Sequence, residues 1–403
     1  MRRSSLRSTE CAALWSRRLH NVNAKRRGQL AIAAVVVAAA CVSLSPPPRG
    51  GGNVPVVRGV YKPGSEQLVR IALETAAKEL PPEIGDTRVV GAGSDGFVVW
   101  NGKRYRGTLE ISQTDSGFLV VNKLPMDDYL RGVVPLEIGN RTAAEMAAVE
   151  AQAVAARTYA YKHLNPARAF DMYATVQDQV YGGVDAEKPL SDSAIRTTAD
   201  VIVLYNGQPI TTPYHSTCGG STAGVSEVWY DQPDEPYLRP VSDKIPGSDR
   251  YYCDASPRFA WTQSYDAVGL RAVLEKYLAS YTNAPKSGLG RVTDVREAGR
   301  TPSGRLAALA VQTEAGTYTL RGNDIRFVLR DPKGAILNST LIGVTEEKND
   351  GGAVSSLTIN GRGYGHGIGM CQWGAIGRAR AGQNFRTILE TYYPGTTLGR
   401  IAS

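Results

Sequence analysis

Residues 142–161 read TAAEMAAVEAQAVAARTYAY, with apolar side chains at Met146, Val149, Ala153, Ala156 and Ala160. That three-four spacing is helical. Thr142-Ala143-Ala144-Glu145 forms a capping box, a hydroxyl and a carboxylate that satisfy the unpaired N–H groups of a helix start. The spacing therefore predicts a helix over 143–161. Glu150 and Arg157, seven residues apart, share one of its faces, with Gln152 between them in sequence. These polar residues suit the wall of a cleft, and equally the solvated side of an alanine-rich helix.

Outward from this helix the pattern changes on both sides. Upstream, Leu124 to Val134 is helix-like and Pro135 interrupts it. Before that, Gln67 to Leu73 alternates, and Phe97-Val98-Val99-Trp100, Asn101-Gly102 and an alternating run to Ile111 predict a β-hairpin. Downstream, Val201 to Tyr205, Asn206-Gly207 and Ile210 to Tyr214 predict another hairpin, with His215 at the end of its strand. Strands resume between Leu306 and Leu320, within a strand-rich stretch from Gly290 to Glu347. A strand at Ser356 to Ile359, a glycine-rich loop and helical segments around 375–381 and 385–392 close the chain. The expected class is α+β: strand-rich units around a helical segment that carries Glu137, with a cleft between subdomains.

The formal charge of the 403 residues is +8, which raises the question of a nucleic-acid partner. In residues 1–48, however, Arg2, Arg3, Arg7, Arg17, Arg18, Lys25, Arg26 and Arg27 face only Glu10, so the tail holds +7 of that total. The rest is nearly neutral, and a phosphate-binding surface, which needs clustered bases, is excluded. The apolar stretch Leu30 to Leu44 behind this basic region reads as a secretory signal or N-terminal membrane anchor, followed by a Pro/Gly linker. Its core is short for a stable span, and Ala38-Ala39-Ala40-Cys41 also resembles a weak lipoprotein site. Residues 1–53 are thus expected to target the chain to the cell envelope, and 54–403 to fold, with subdomains at 54–280 and 281–403.

Three constellations bear chemical groups. Glu137 lies among apolar neighbours in Val133-Val134-Pro135-Leu136-Glu137-Ile138-Gly139. Such surroundings raise a carboxyl pKa, as a general acid requires; an ordinary loop glutamate fits the same spacing. Tyr214-His215-Ser216-Thr217-Cys218-Gly219-Gly220 sets a histidine, hydroxyls and a thiol beside a flexible turn, without the G-x-S-x-G elbow of a serine nucleophile. From Gly361 to Gly369 glycine occupies every second position, with Tyr364 and His366 between, and lacks any phosphate-loop pattern. Close approach to an extended ligand, or plain packing under a loop, fits such a run. Of the five cysteines, Cys218, Cys253 and Cys371 belong to the folded part. In an exported protein a disulfide or simple burial is expected ahead of metal, because their spacing with His215 is no standard zinc pattern. No cofactor is expected.

Leu124-Pro125-Met126-Asp127-Asp128-Tyr129-Leu130-Arg131-Gly132-Val133-Val134 through Glu137, then Ala151-Gln152-Ala153-Val154-Ala155-Ala156-Arg157-Thr158-Tyr159, resembles the stage II sporulation protein D and amidase-enhancer family. Gln179-Val180-Tyr181-Gly182-Gly183, His215-Ser216-Thr217-Cys218-Gly219-Gly220 and the run Gly363 to Ala375 extend the resemblance over about residues 67–398. It implies a peptidoglycan lytic transglycosylase acting on glycan strands stripped of stem peptides, with Glu137 as acid and base. Gln152, Arg157, Tyr181, His215, Ser216, Tyr364 and His366 are the residues expected to bind substrate. A lytic enzyme needs one carboxyl group where a hydrolase generally needs two. Many relatives bind zinc through C-x-x-x-x-H-C, where this chain has Met172, Gln177 and Asp178, so that site is expected to be absent. The resemblance implies a second role as well, a non-catalytic enhancer working with a wall amidase. A third reading, a cysteine peptidase using Cys371 and His366, requires their contact and a depressed thiol pKa.

Overall fold

The computed structural model describes residues 60–61, 68–81, 84 and 88–402, so the targeting segment 1–53 lies outside the described residues. Strands β1 (Val60–Tyr61), β2 (Leu68–Ala77), β3 (Val89–Val90), β4 (Val98–Trp100), β5 (Lys103–Tyr105), β6 (Thr108–Thr114) and β7 (Gly117–Pro125) come first. The predicted hairpin is β4–β5, and Asn101 and Gly102 take φ of 49° and 72° at its turn, the left-handed geometry that Asn-Gly tolerates. β6 and β7 pair antiparallel, β7 pairs with β2, and the short β8 (Met172–Tyr173) adds in parallel, giving the sheet order β3-β6-β7-β2-β8.

β7 runs directly into α1 (Met126–Ile138), whose first turn carries Asp127 and Asp128 where the helix dipole favours negative charge. Pro135 sits inside this helix instead of ending it, and the Gly139 N–H bonds its carbonyl at 3.1 Å. A proline forfeits one helical hydrogen bond, but Pro135 is buried among Val133, Val134 and Ile138, and that packing carries the helix past it. Glu137 therefore occupies a helical turn. Gly132 faces the Tyr181 ring so closely that a Cβ there would overlap it. Gly132→Ala is expected to cost about 1–3 kcal/mol through overpacking, read as a lowered thermal midpoint.

The central helix is α2 (Met146–His163), entered through a 3-10 turn at Ala143–Glu145 in which the Thr142 N–H donates to Glu145 Oε2 at 2.9 Å. It is buried nearly all round. Small alanines let α1, α3 (Pro189–Thr197), β9 (Val201–Tyr205) and two later helices approach its axis on different sides. β9 turns through Asn206-Gly207 (φ 50° and 74°), as predicted, but the returning strand is the short β10 (Gln208–Pro209) rather than Ile210 to Tyr214, and β11 (Tyr214–His215) pairs instead in parallel with Met370–Cys371. After α4 (Val225–Val228), β12 (Ala260–Asp266) leads into α5 (Ala267–Tyr277), β13 (Val292–Glu297), β14 (Ala308–Thr313), β15 (Gly316–Arg321), α6 (Asp324–Val328), β16 (Ile342–Lys348) and β17 (Val354–Arg362). Their buried side chains, Tyr265 to Ile359, form a core of their own. Ile368 to Ile401 then rejoin the first core through β18 (Met370–Cys371), α7 (Gln372–Arg380), α8 (Phe385–Tyr392) and β19 (Thr397–Ile401). The second core is thus inserted into the first, entered near 260 and left near 362. The chain is α+β. No helix of the described residues is long and apolar enough to cross a membrane.

Candidate functional site

Glu137 projects from the last turn of α1 and is half-buried. Its Oε1 accepts the Val180 N–H at 2.9 Å. The Gln372 side chain at the start of α7 and the Tyr214 hydroxyl at the start of β11 also hydrogen-bond to it. Desolvation pushes the Glu137 pKa above the ordinary carboxylate value, and the Val180, Gln372 and Tyr214 bonds pull against that rise without cancelling it.

A buried polar relay fixes these partners. The Tyr129 hydroxyl of α1 donates to Gln179 Oε1 at 3.0 Å, and Gln179 Nε2 donates to the Tyr214 hydroxyl oxygen at 2.9 Å. Since that oxygen already accepts a hydrogen bond from Gln179, the Tyr214 hydroxyl hydrogen is left to donate to Glu137. Gln372 Nε2 donates to Gln152 Oε1 at 3.3 Å, which joins α7 to α2 behind the carboxylate. Asp178 is two residues from the amide that binds Glu137, but its oxygens accept the Tyr159 hydroxyl at 2.9 Å and the Tyr173 N–H at 2.8 Å. Among the described residues, no other carboxylate bonds to this cluster.

The remaining residues expected at the site fall into distinct places. Gln152, fully buried, belongs to the Glu137 relay, and its own amide nitrogen has no protein partner. Arg157 belongs to the packing, because its guanidinium donates to the Ile195, Thr198 and Val201 carbonyls and to Asp127. Tyr181 is also buried, its hydroxyl donating to Asn122 Oδ1 at 2.9 Å and its ring 5.2 Å from that of Tyr129. His366 acts on the site through the backbone. Its Nδ1 accepts the Ile368 N–H at 3.0 Å, so Nε2 carries the proton and donates to the Tyr214 carbonyl at 2.9 Å. Burial lowers its pKa to about 4. His215 donates through Nδ1 to the Ile368 carbonyl at 3.2 Å, and burial holds its pKa well below the ordinary value. Ser216 is half-buried, and its carbonyl accepts the Trp373 N–H. Tyr364 is exposed, with the Arg258 guanidinium 4.1 Å from its ring centre.

Of the two alternatives expected for the cysteines, a disulfide or simple burial, the structure shows burial. Cys218, Cys253 and Cys371 are all free, with 3.5 Å between the sulfurs of Cys218 and Cys253, so no disulfide joins them. Burial and neighbouring groups push the Cys371 thiol well above its ordinary pKa, and both His366 nitrogens are engaged elsewhere, which removes the cysteine-peptidase reading. The zinc ligands of relatives are not matched either. Met172 is buried in β8, and Asp178 has both oxygens occupied, so residues 172–178 do not fit a metal. The sequence reading missed Tyr214 and Gln372 as partners of Glu137, and Gln179 and Tyr129 behind Tyr214; the signal available was that each stands inside or beside a quoted motif.

Comparison with known proteins gives two family matches. A family described as Stage II sporulation protein matches residues 114–205, and a Domain of unknown function (DUF8618) matches residues 248–369. The chain is 32% identical to an uncharacterized protein of Brachyspira hyodysenteriae over 77% of this chain and 76% of that one. It is 30% identical to Stage II sporulation protein D of Bacillus subtilis, over 69% of this chain and 75% of the relative. It is 33% identical to the amidase enhancer of Bacillus subtilis over 67% of its length, spanning 40% of that longer protein.

Proposed function

We propose, because this chain belongs to the stage II sporulation protein D family, that it is an exported cell-wall enzyme cleaving peptidoglycan glycan strands as a lytic transglycosylase. The observation that supports this reading is one carboxyl group with a raised pKa, held by three donors and, among the described residues, hydrogen-bonded to no second carboxylate. Protonated Glu137 gives its proton to the glycosidic oxygen as the C1–O bond breaks and positive charge develops on the sugar. The resulting carboxylate is stabilised by the Val180 N–H, the Tyr214 hydroxyl and the Gln372 amide. It then takes the proton of the sugar's own 6-hydroxyl, whose oxygen attacks C1 and closes an anhydro ring. Glu137 is protonated again, and no water is consumed.

Mass spectrometry of digests of peptide-free glycan strands tests this. Anhydro-sugar ends are expected; reducing ends would show hydrolysis, and an absence of release would leave the binding role. That second role, assisting a cell-wall amidase, is favoured by the 33% identity to the amidase enhancer. It predicts that the chain stimulates an amidase on intact wall whether or not Glu137 is present.

Tyr214 offers a finer test. Its bond favours the ionised form of Glu137, so Tyr214→Phe raises the Glu137 pKa further. The acid form is the one that starts the reaction, so the alkaline limb of the kcat/KM profile moves to higher pH. A profile that keeps its alkaline limb would separate Tyr214 from Glu137.

A further inference from the structure

Three thiols and a carboxylate meet away from the carboxyl chemistry just described. Cys218 lies in the turn after β11, Asp243 and Cys253 in the irregular stretch before β12, and Cys371 ends β18. All four are buried, and one ligand atom from each lies within 4.8 Å of all the others. We propose that Cys218, Asp243, Cys253 and Cys371 form a structural zinc site that pins these three segments together.

The geometry suits that ion. Four ligands at zinc–sulfur length around a tetrahedral centre stand ~3.8 Å apart. Cys218 Sγ is 3.5 Å from Cys253 Sγ and 3.3 Å from Asp243 Oδ2. The sulfurs are dressed as thiolates are. Cys371 Sγ accepts the Cys218 and Gly374 N–H groups, each at 3.2 Å, and Cys218 Sγ accepts the Gly220 N–H at 3.4 Å. Cys371 also caps the N-terminus of the nine-residue α7, where the helix dipole favours negative charge.

Asp243 is oriented from outside, in the manner of a metal-ligating carboxylate. Its Oδ1 accepts Arg378 Nη2 at 2.9 Å and the Tyr392 hydroxyl at 2.7 Å, which leaves Oδ2 directed at Cys218. Three thiolates and a carboxylate around a divalent ion carry a net −2. Arg378 and the buried Arg305 supply compensating charge. Arg305 Nη2 donates to the Cys218 carbonyl at 3.1 Å, while its Nε and Nη1 have no hydrogen-bond partner. With four protein ligands no position is open for substrate, so the ion is structural rather than catalytic. Its role is to hold β11, which carries Tyr214, against α7, which begins at Gln372. The site does not depend on the reaction proposed for Glu137.

The test uses the full chain with Cys11 and Cys41 replaced by serine, so that only these three thiols remain. Elemental analysis is expected to find one zinc per chain after dialysis, and X-ray absorption at the zinc edge about three sulfurs near ~2.3 Å with one lighter ligand near ~2.0 Å. Cobalt exchanged into the site is expected to give thiolate charge-transfer bands and tetrahedral ligand-field bands. Asp243→Asn is expected to lose zinc to a competing chelator at least ~10-fold more readily. Substoichiometric metal with three thiols reactive after denaturation would overturn the proposal. So would a disulfide found by mass spectrometry, or a zinc edge showing only nitrogen and oxygen ligands. These measurements on the chain with intact ligands stand even if the Asp243 variant does not fold.

Discussion

Glutamine in place of Glu137 is expected to reduce release of anhydro-ended fragments from peptide-free glycan strands by about 10²–10⁴-fold, the span typical of a lost general acid and base. The substitution removes the ionisable proton and one of the two acceptor oxygens, so one of the three donors loses its partner. A glutamine oxygen still accepts the Val180 N–H, and the side chain keeps its volume against Tyr214 and Gln372. Far-ultraviolet circular dichroism and the denaturation midpoint should therefore be unchanged. At neutral pH the lost bond is offset by removal of a half-buried carboxyl group with a raised pKa, because such a group favours the fold in its protonated form and loses that contribution as pH rises through its folded pKa. Undiminished cleavage by the Glu137→Gln chain would end the transglycosylase reading and leave the amidase-enhancer role in possession.

Methionine in place of Arg157 is expected to cost about 3–5 kcal/mol of stability, because buried carbonyls left without a donor cost about 1–3 kcal/mol each. The guanidinium is 1% exposed and binds the carbonyls of Ile195, Thr198 and Val201, where α3 gives way to β9. Methionine fills part of the space but offers no donor, so those carbonyls lose their partner within the packed core. Asp127, half-exposed, recovers water and contributes less to the loss. Urea denaturation of both chains measures the difference. The resemblance assigns Arg157 to the glycan instead. A variant with wild-type stability and weakened glycan affinity would restore that assignment.

Particular residues show how much of this was legible. The α2 helix announces itself through Thr142, Glu145 and its apolar spacing, and the two Asn-Gly turns follow from the left-handed angles those residues accept. Which face of α2 meets water was not legible, because alanines on every side give helical spacing without a polar stripe. Gln152 and Arg157 thus fitted either the wall of a cleft or a solvated face, and both side chains are buried. Pro135 misled for the complementary reason: local preference predicts a break, and burial outweighs it. Glu137 itself was found through its motif. Its partners were not, because Val180, Tyr214 and Gln372 reach it from segments separated by 43 to 235 residues. The cysteines illustrate the same limit. Spacing says nothing about which thiols meet, and the long intervals between 218, 253 and 371 conceal a group within a few ångströms.

The inserted core has a consequence for how such chains diverge. Ala260 opens the insertion and Arg362 closes it, and the two are directly paired across antiparallel strands. Residues opposite each other on such strands are about 5 Å apart, so the host core sees the insertion as a loop whose ends are already joined. Lengthening or replacing everything between those two residues changes the closure entropy only slowly with length. Exchange of that cassette therefore costs little in closure entropy, but a replacement must still supply the contact that Arg305 makes to the Cys218 carbonyl.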